Sequence, residues 1–191
     1  PNGKSIAFFS SRSGKNQIWI MHTFGGEAKQ ITDEKSGINN FKWSPNSEFI
    51  AFTMNNPETE EEKKLKKEKR DVILVDKNFK YAHLYIIKPN IKKSLKKITS
   101  GNYSINSFDW SPNGKTIIFS HQKDTRINTG FINTDISMVP SDSGAVVNVI
   151  TRPGLDSNPL YSPDGKSIAF VSSGGKIEPI GLQDVYTYSI A

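Results

Sequence analysis

One ten-residue segment recurs along the chain. It reads Trp43-Ser44-Pro45-Asn46-Ser47-Glu48-Phe49-Ile50-Ala51-Phe52, then Trp110-Ser111-Pro112-Asn113-Gly114-Lys115-Thr116-Ile117-Ile118-Phe119, then Tyr161-Ser162-Pro163-Asp164-Gly165-Lys166-Ser167-Ile168-Ala169-Phe170. Pro1 to Phe8 repeat its latter part. The marker prolines are 44, 67 and 51 residues apart, so the repeat has no fixed period. A second marker, Ile31-Thr32, Ile98-Thr99 and Ile150-Thr151, precedes the next marker proline by 14, 14 and 13 residues. The joint between units is therefore constant, and the length variation lies inside each unit. This is the behaviour of a β-propeller, in which packing between blades fixes the joint while loops within a blade project freely.

The chemistry of the marker supports strands. Ser-Pro-Asn/Asp-Gly suits a type I turn, with proline presetting φ and glycine tolerating φ > 0 at the last position. Ser47 stands where Gly3, Gly114 and Gly165 stand in the other units, so the same turn predicts a positive φ at Ser47. Phe41 and Trp43, like Phe108 and Trp110, are two apart and so share a sheet face. The Ile-Ala-Phe and Ile-Ile-Phe runs are apolar on both faces, as for a strand between neighbouring sheets, with Ala7, Ala51 and Ala169 where the next blade comes close. Third strands read at Gln17 to Met21, His83 to Ile87, Asp135 to Val139 and Asp184 to Ser189, and a short fourth ends in Ile-Thr. The expected fold is all-β, a propeller fragment of about four blades of four-stranded antiparallel sheet. The chain forms one partial domain with units at 1–40, 41–105, 106–157 and 158–191 and a charged insertion at 57–70.

With 35% hydrophobic and 23% charged residues the 191-residue chain reads as an ordinary soluble globular domain. It has no cysteine, which removes disulfides, thiolate metal sites and cysteine nucleophiles, and no apolar run of spanning length. The net charge of +6 has a location. Residues 58–71 balance six acids against six bases, whereas Lys77 to Lys97 holds seven lysines and no acid. Lysines on outer strands discourage edge pairing, while a nucleic-acid groove wants arginine and interleaved aromatics, so nucleic acid is not an expected partner.

The units resemble the TolB-type propeller repeat, carried by Gly25-Gly26-Glu27, Gln30-Ile31-Thr32 and the aromatic-Ser-Pro turn. The second unit is similar to the N-terminal propeller of the prolyl oligopeptidase family, in its acylaminoacyl-peptidase-like branch. The residues behind this are Ile50-Ala51-Phe52-Thr53, the Glu/Lys insertion, Asp71 to Asp76, Phe79-Lys80-Tyr81 and His83-Leu84-Tyr85-Ile86. The resemblance implies a longer parent whose C-terminal α/β-hydrolase domain carries a Ser-Asp-His triad and whose propeller caps that site, restricting access to small peptides. It implies a cytoplasmic protein, with the periplasm as the alternative location. The rival expectation is a TolB-like protein-interaction propeller with no peptidase attached.

No catalytic, cofactor-binding or metal site is expected in the chain itself. There is no G-x-S-x-G elbow. His22, His83 and His121 are far apart and lack metal-motif spacing, and the serines mostly occupy turns. Dipeptidyl-peptidase relatives hold a substrate amine with propeller glutamates, but Glu60-Glu61-Glu62 lie among lysines without that motif's aromatic neighbours. In the insertion acids precede bases, which predicts a short solvated helix with pairs Glu60–Lys64 and Glu62–Lys66 and a possible gating role. The clipped first and last units predict open blade edges that self-associate.

Overall fold

The computed structural model describes residues 1–70, 79–91, 93–123, 125–126, 132–177 and 181–190. The segment Asp71 to Asp76, and with it Lys77 and Lys92, lies outside the described residues. Strands come in four successive groups. The first is β1 (Ser5–Ser10), β2 (Gln17–His22) and β3 (Lys29–Gln30). The second is β4 (Asn40–Trp43), β5 (Ile50–Asn55), β6 (Ala82–Ile87) and β7 (Lys96–Lys97), with α1 (Glu60–Lys67) between β5 and β6. The third is β8 (Ser104–Trp110), β9 (Thr116–Gln122), β10 (Asn133–Pro140) and β11 (Val147–Ile150), and the last is β12 (Gly154–Tyr161), β13 (Ser167–Ser172) and β14 (Asp184–Ser189). Within each group neighbouring strands pair antiparallel in chain order. The first strand β8 lies against both β4 and β12, so successive groups share an inner line as propeller blades do.

One pairing departs from the all-antiparallel expectation. The start of β12 runs parallel to β10, Asn133 opposite Gly154 and Thr134 opposite Leu155, which joins the last two groups. Gly154 makes this possible. Its φ is 98°, and a Cβ there would sit 2.2 Å from Ser173 Oγ and 2.4 Å from Lys176 O.

The recurring segment forms the turn expected of it. The N–H of Ser47, Gly114 and Gly165 donates to the carbonyl of Ser44, Ser111 and Ser162 at 2.8–2.9 Å. Ser47 has φ 61°, beside 72°, 70° and 73° at Gly3, Gly114 and Gly165. The serine hydroxyl donates to Oδ1 of Asn46, Asn113 or Asp164 and accepts from the N–H of Phe49, Thr116 or Ser167. That two-sided bond explains why serine opens the motif and Asn or Asp sits two residues on. The Ile-Thr marker has a similar cause. Thr32 and Thr99 accept from the backbone N–H of Ile18 and Leu84 through Oγ1, extending the ladder where the short fourth strand stops.

Cores form between blades. Residues Ile50 to Met54 of β5 are all buried. Ile50, Phe52, Tyr85 and Ile87 pack with Ile18, Ala7 and Ile20 of the first group, and Ala51, Leu84 and Ile86 pack with Phe108, Trp110, Ile117 and Phe119 of the third. A third cluster joins Ile118, Ile136 and Ile150 to Ile168 and Phe170. The aromatic two residues before each marker tryptophan shares its face, so Phe41 and Trp43 turn to one core and Phe108 and Trp110 to another.

Candidate functional site

Two kinds of connection differ in placement. The marker turns and the third-to-fourth strand turns lie at one end of the sheets. The second-to-third strand connections, including residues 56–81 with α1, lie at the other, where β4, β6 and β8 begin. At that variable end a polar groove of about 640 Å³ opens between the second and third groups. Asn39, Asn40, Asn55 and Asn106 line it with Thr53, Ser104, Thr125 and Lys80. Asn39 donates to Asn55 Oδ1 at 3.1 Å and Asn106 to Gln122 Oε1 at 3.0 Å, which leaves the Asn39 and Asn106 amides an acceptor oxygen for a bound chain.

The insertion helix stands at this end. Thr59 caps it: its Oγ1 accepts from Glu62 N at 3.2 Å while the Glu62 carboxylate accepts from Thr59 N at 2.7 Å. The helix expectation is met, but its charge partners differ from those expected. Glu60 pairs with Lys63, Lys66 with Glu58, and Glu62 with Lys80. Glu62 is drawn from Lys66 because its side chain is committed to the cap and to Lys80, which hold its carboxyl below the usual range, Lys80 most strongly. Lys80 also lines the groove, so the ion pair fixes α1 to the groove wall.

Two of the three histidines, distant in sequence, converge on one ring. His83 meets Tyr103 edge-on at 5.5 Å, and His121 lies 5.0 Å from the same ring. His22 is exposed at the end of β2. Thr99 Oγ1, already accepting from Leu84, lies 3.4 Å from His83 Nδ1, where Thr32 Oγ1 donates to Gln17 Oε1 at 2.8 Å. His83 thus fills a structural position that Gln17 fills in the first unit. Burial pushes both imidazoles down to about 4, helped by Lys97 at His83 and by Lys123 at His121, and both are neutral near pH 7.

His121 Nε2 lies 2.8 Å from Ser137 Oγ, the nearest approach to a nucleophile–base pair among the described residues. Its chemistry is wrong for catalysis. Ser137 donates its hydrogen to Asn148 Oδ1 at 3.0 Å, and His121 Nδ1 is buried without a hydrogen-bond partner, so no carboxylate orients the ring. Among the described residues no three His, Asp or Glu side chains are placed to hold a metal ion, and no helix is long and apolar enough to cross a membrane.

Two further contacts tie the groups together. Asp109 Oδ1 accepts from Lys42 Nζ at 2.8 Å and Oδ2 from Tyr161 N at 3.0 Å, tying the second, third and fourth groups together. Asp156, almost fully buried, takes a bidentate contact from Arg152, whose guanidinium lies 5.2 Å from the Tyr186 ring. Among the described lysines of the basic stretch, Lys96–Lys97 form the edge strand of the second group, Lys97 donates to Asn56 and Lys88 faces Glu48.

No protein-family model matches the chain. Over 136 residues, 63% of the chain, it is 32% identical to the uncharacterized peptidase YuxL of Bacillus subtilis, of which it spans 20%. Over 90% of the chain it is 29% identical to dipeptidyl-peptidase 5 of Porphyromonas gingivalis, of which it spans 28%. A solved structure of acylaminoacyl peptidase superposes on the whole chain with a TM-score of 0.71 at 18% identity, the chain covering 30% of it. TolB from Acinetobacter baumannii superposes on 95% of the chain with a TM-score of 0.58 at 18% identity, 40% of that protein being covered. The fold is therefore a TolB-type β-propeller. The two peptidases it resembles in sequence are each several times its length.

Proposed function

We propose that this chain is the non-catalytic propeller portion of a serine peptidase of the prolyl oligopeptidase family, capping the active site of an α/β-hydrolase domain and restricting access to small peptides. The observation that carries this reading is the sequence similarity to dipeptidyl-peptidase 5, which extends over 90% of the chain. The amide-lined groove supports it, since Asn side chains offer both donor and acceptor to a peptide backbone without selecting a side chain. The ion pair of α1 with Lys80 on the groove wall supports a role for this helix in narrowing the passage for longer peptides.

The test is deletion of Glu58 to Lys69 in the full-length peptidase, with kcat/KM compared for a dipeptide-sized substrate and one of about ten residues. The ratio shifts toward the longer peptide if α1 gates passage; an unchanged ratio removes α1 from the mechanism. The second reading, a TolB-like protein-interaction propeller, draws on the likeness to TolB. The reading frame beyond Ala191 separates the two: a G-x-S-x-G between strand and helix supports the peptidase, and further blades followed by a stop support the alternative.

A further inference from the structure

The amide-lined groove carries one charge, and α1 has set a carboxylate against it. The residues that line the groove come from the second and third groups, each of which packs on a further group at its other face. The asparagines and hydroxyl side chains among them are neutral, and Lys80 is the one charged residue among the described residues of the lining. Glu62 accepts from Lys80 Nζ through Oε2 but does not itself line the groove. The cation therefore faces the groove, and its partner stands behind it on the helix.

This pair is built to be exchanged. The Lys80 side chain is 35% exposed and that of Glu62 27% exposed, and an ion pair in contact with water holds its partners weakly. An ammonium carries three N–H groups, of which Glu62 takes one. The same Oε2 accepts from Thr59 N at 2.7 Å, so the oxygen that meets Lys80 also caps α1. The groove, about 640 Å³, falls within the roughly 300–1,000 Å³ of ligand-sized sites. A short peptide lying on its neutral amides brings charges of its own. The ammonium end finds no carboxylate in the described lining and is repelled by Lys80, whereas a carboxylate is attracted to it.

We infer, on the reading of this groove as a peptide site, that Lys80 receives a carboxylate of the bound peptide and that Glu62 is its resident substitute. The incoming carboxylate takes Lys80 from Glu62 and so loosens the first turn of α1, coupling the occupant of the groove to the helix beside it. The carboxylate comes from the peptide's C-terminus or from an acidic side chain, and the two are separable by measurement.

Fluorescence anisotropy on the full-length protein, treated with a fluorophosphonate so that no peptide is cleaved, tests this. The probes are a dye-labelled alanine pentapeptide as the free acid, as its C-terminal amide, and as the amide carrying one glutamate. The free acid binds about fivefold more tightly than the amide, the upper range for a partly exposed ion pair. Lys80→Met removes the difference and Lys80→Arg keeps it, both with unchanged circular dichroism because the side chain is partly exposed. Glu62→Gln, which deletes the competing charge, tightens binding of the free acid and not of the amide. Amide exchange in residues 62–67 quickens with the free acid and not with the amide. The glutamate-bearing amide matches the free acid if an acidic side chain is accepted, and matches the plain amide if the site takes the chain terminus alone. Equal affinities of acid and amide for the native protein, binding of neither, or a preference that survives Lys80→Met would overturn the proposal. A protein that the fluorophosphonate leaves unlabelled but that prefers the free acid refutes the peptidase and keeps the carboxylate site; a labelled protein without the preference does the reverse.

Discussion

Asp109 links three consecutive blades, and its removal has a calculable cost. In Asp109→Ala, Tyr161 N–H loses a charged acceptor at 3.0 Å and Lys42 loses its partner at 2.8 Å. A hydrogen bond to a charged group contributes about 1.5–3 kcal/mol when its partner is left unsatisfied. The ion pair adds less, because the Lys42 side chain is 35% exposed and Asp109 21% exposed, and exposed pairs contribute about 0.2–1 kcal/mol. The sum is about 2–4 kcal/mol, or a fall of about 4–16 °C in Tm for a domain of this size. Asp109→Asn keeps an acceptor for Tyr161 and loses only the charge, so it costs about 1 kcal/mol or less. Lys42→Met costs less again, and the double-mutant cycle of Lys42 with Asp109 isolates a coupling of about 0.5–1 kcal/mol. Urea unfolding followed by tryptophan fluorescence measures all of these. An Asp109→Ala variant within about 0.5 kcal/mol of the native chain, well below the hydrogen-bond range, would refute the three-blade link.

Ser47→Gly relieves a φ of 61° but gives up the bond that Asn2 N donates to Ser47 Oγ at 3.0 Å, so the change is a stabilisation of at most about 0.5 kcal/mol, read as a small rise in Tm. His83, held near 4 in the fold and near 6.5 when unfolded, binds its proton first in the unfolded state as pH falls. The His83 contribution is therefore full above about pH 6.5 and lost by about 3 kcal/mol between pH 6.5 and 4, and His83→Gln reduces the slope of that part of a urea-midpoint profile, His121 carrying the rest. A profile of equal slope in the variant would remove His83 as its source. Thr59→Ala breaks the cap of α1 and costs that helix about 1 kcal/mol, seen as faster amide exchange in residues 62–67 with no change in the sheet amides.

What could be read from the sequence was what local chemistry determines. The Ser-Pro-Asn/Asp-Gly turn, including the left-handed Ser47, is set by bonds within six residues, and the Ile-Ala-Phe strands by burial on both faces. Helix α1 was legible because acids precede bases along it. Its ion pairs were not, since Glu62 meets Lys80 only once β6 is in place. The convergence of His83 and His121 on Tyr103, the Asp109 link and the approach of Gly154 to Ser173 and Lys176 depend on which residue of another segment lands opposite. The groove has the same origin. Its asparagines are individually ordinary strand-end residues, and only the packing of β4, β5 and β8 assembles them. Asp109 did carry one signal in retrospect, a charge immediately before the marker aromatic, shared with Lys42.

The measurement that bears most directly on the proposed role is the dependence of kcat/KM on peptide length in the full-length protein, using a chromogenic series from two to about twenty residues and an unfolded protein substrate. A propeller that caps a hydrolase site predicts cleavage of the short members, a steep fall along the series and no cleavage of the protein, with fluorophosphonate labelling the full-length protein and leaving residues 1–191 unlabelled. A flat dependence extending to the unfolded protein, or serine-directed labelling of the 191-residue chain itself, would contradict it.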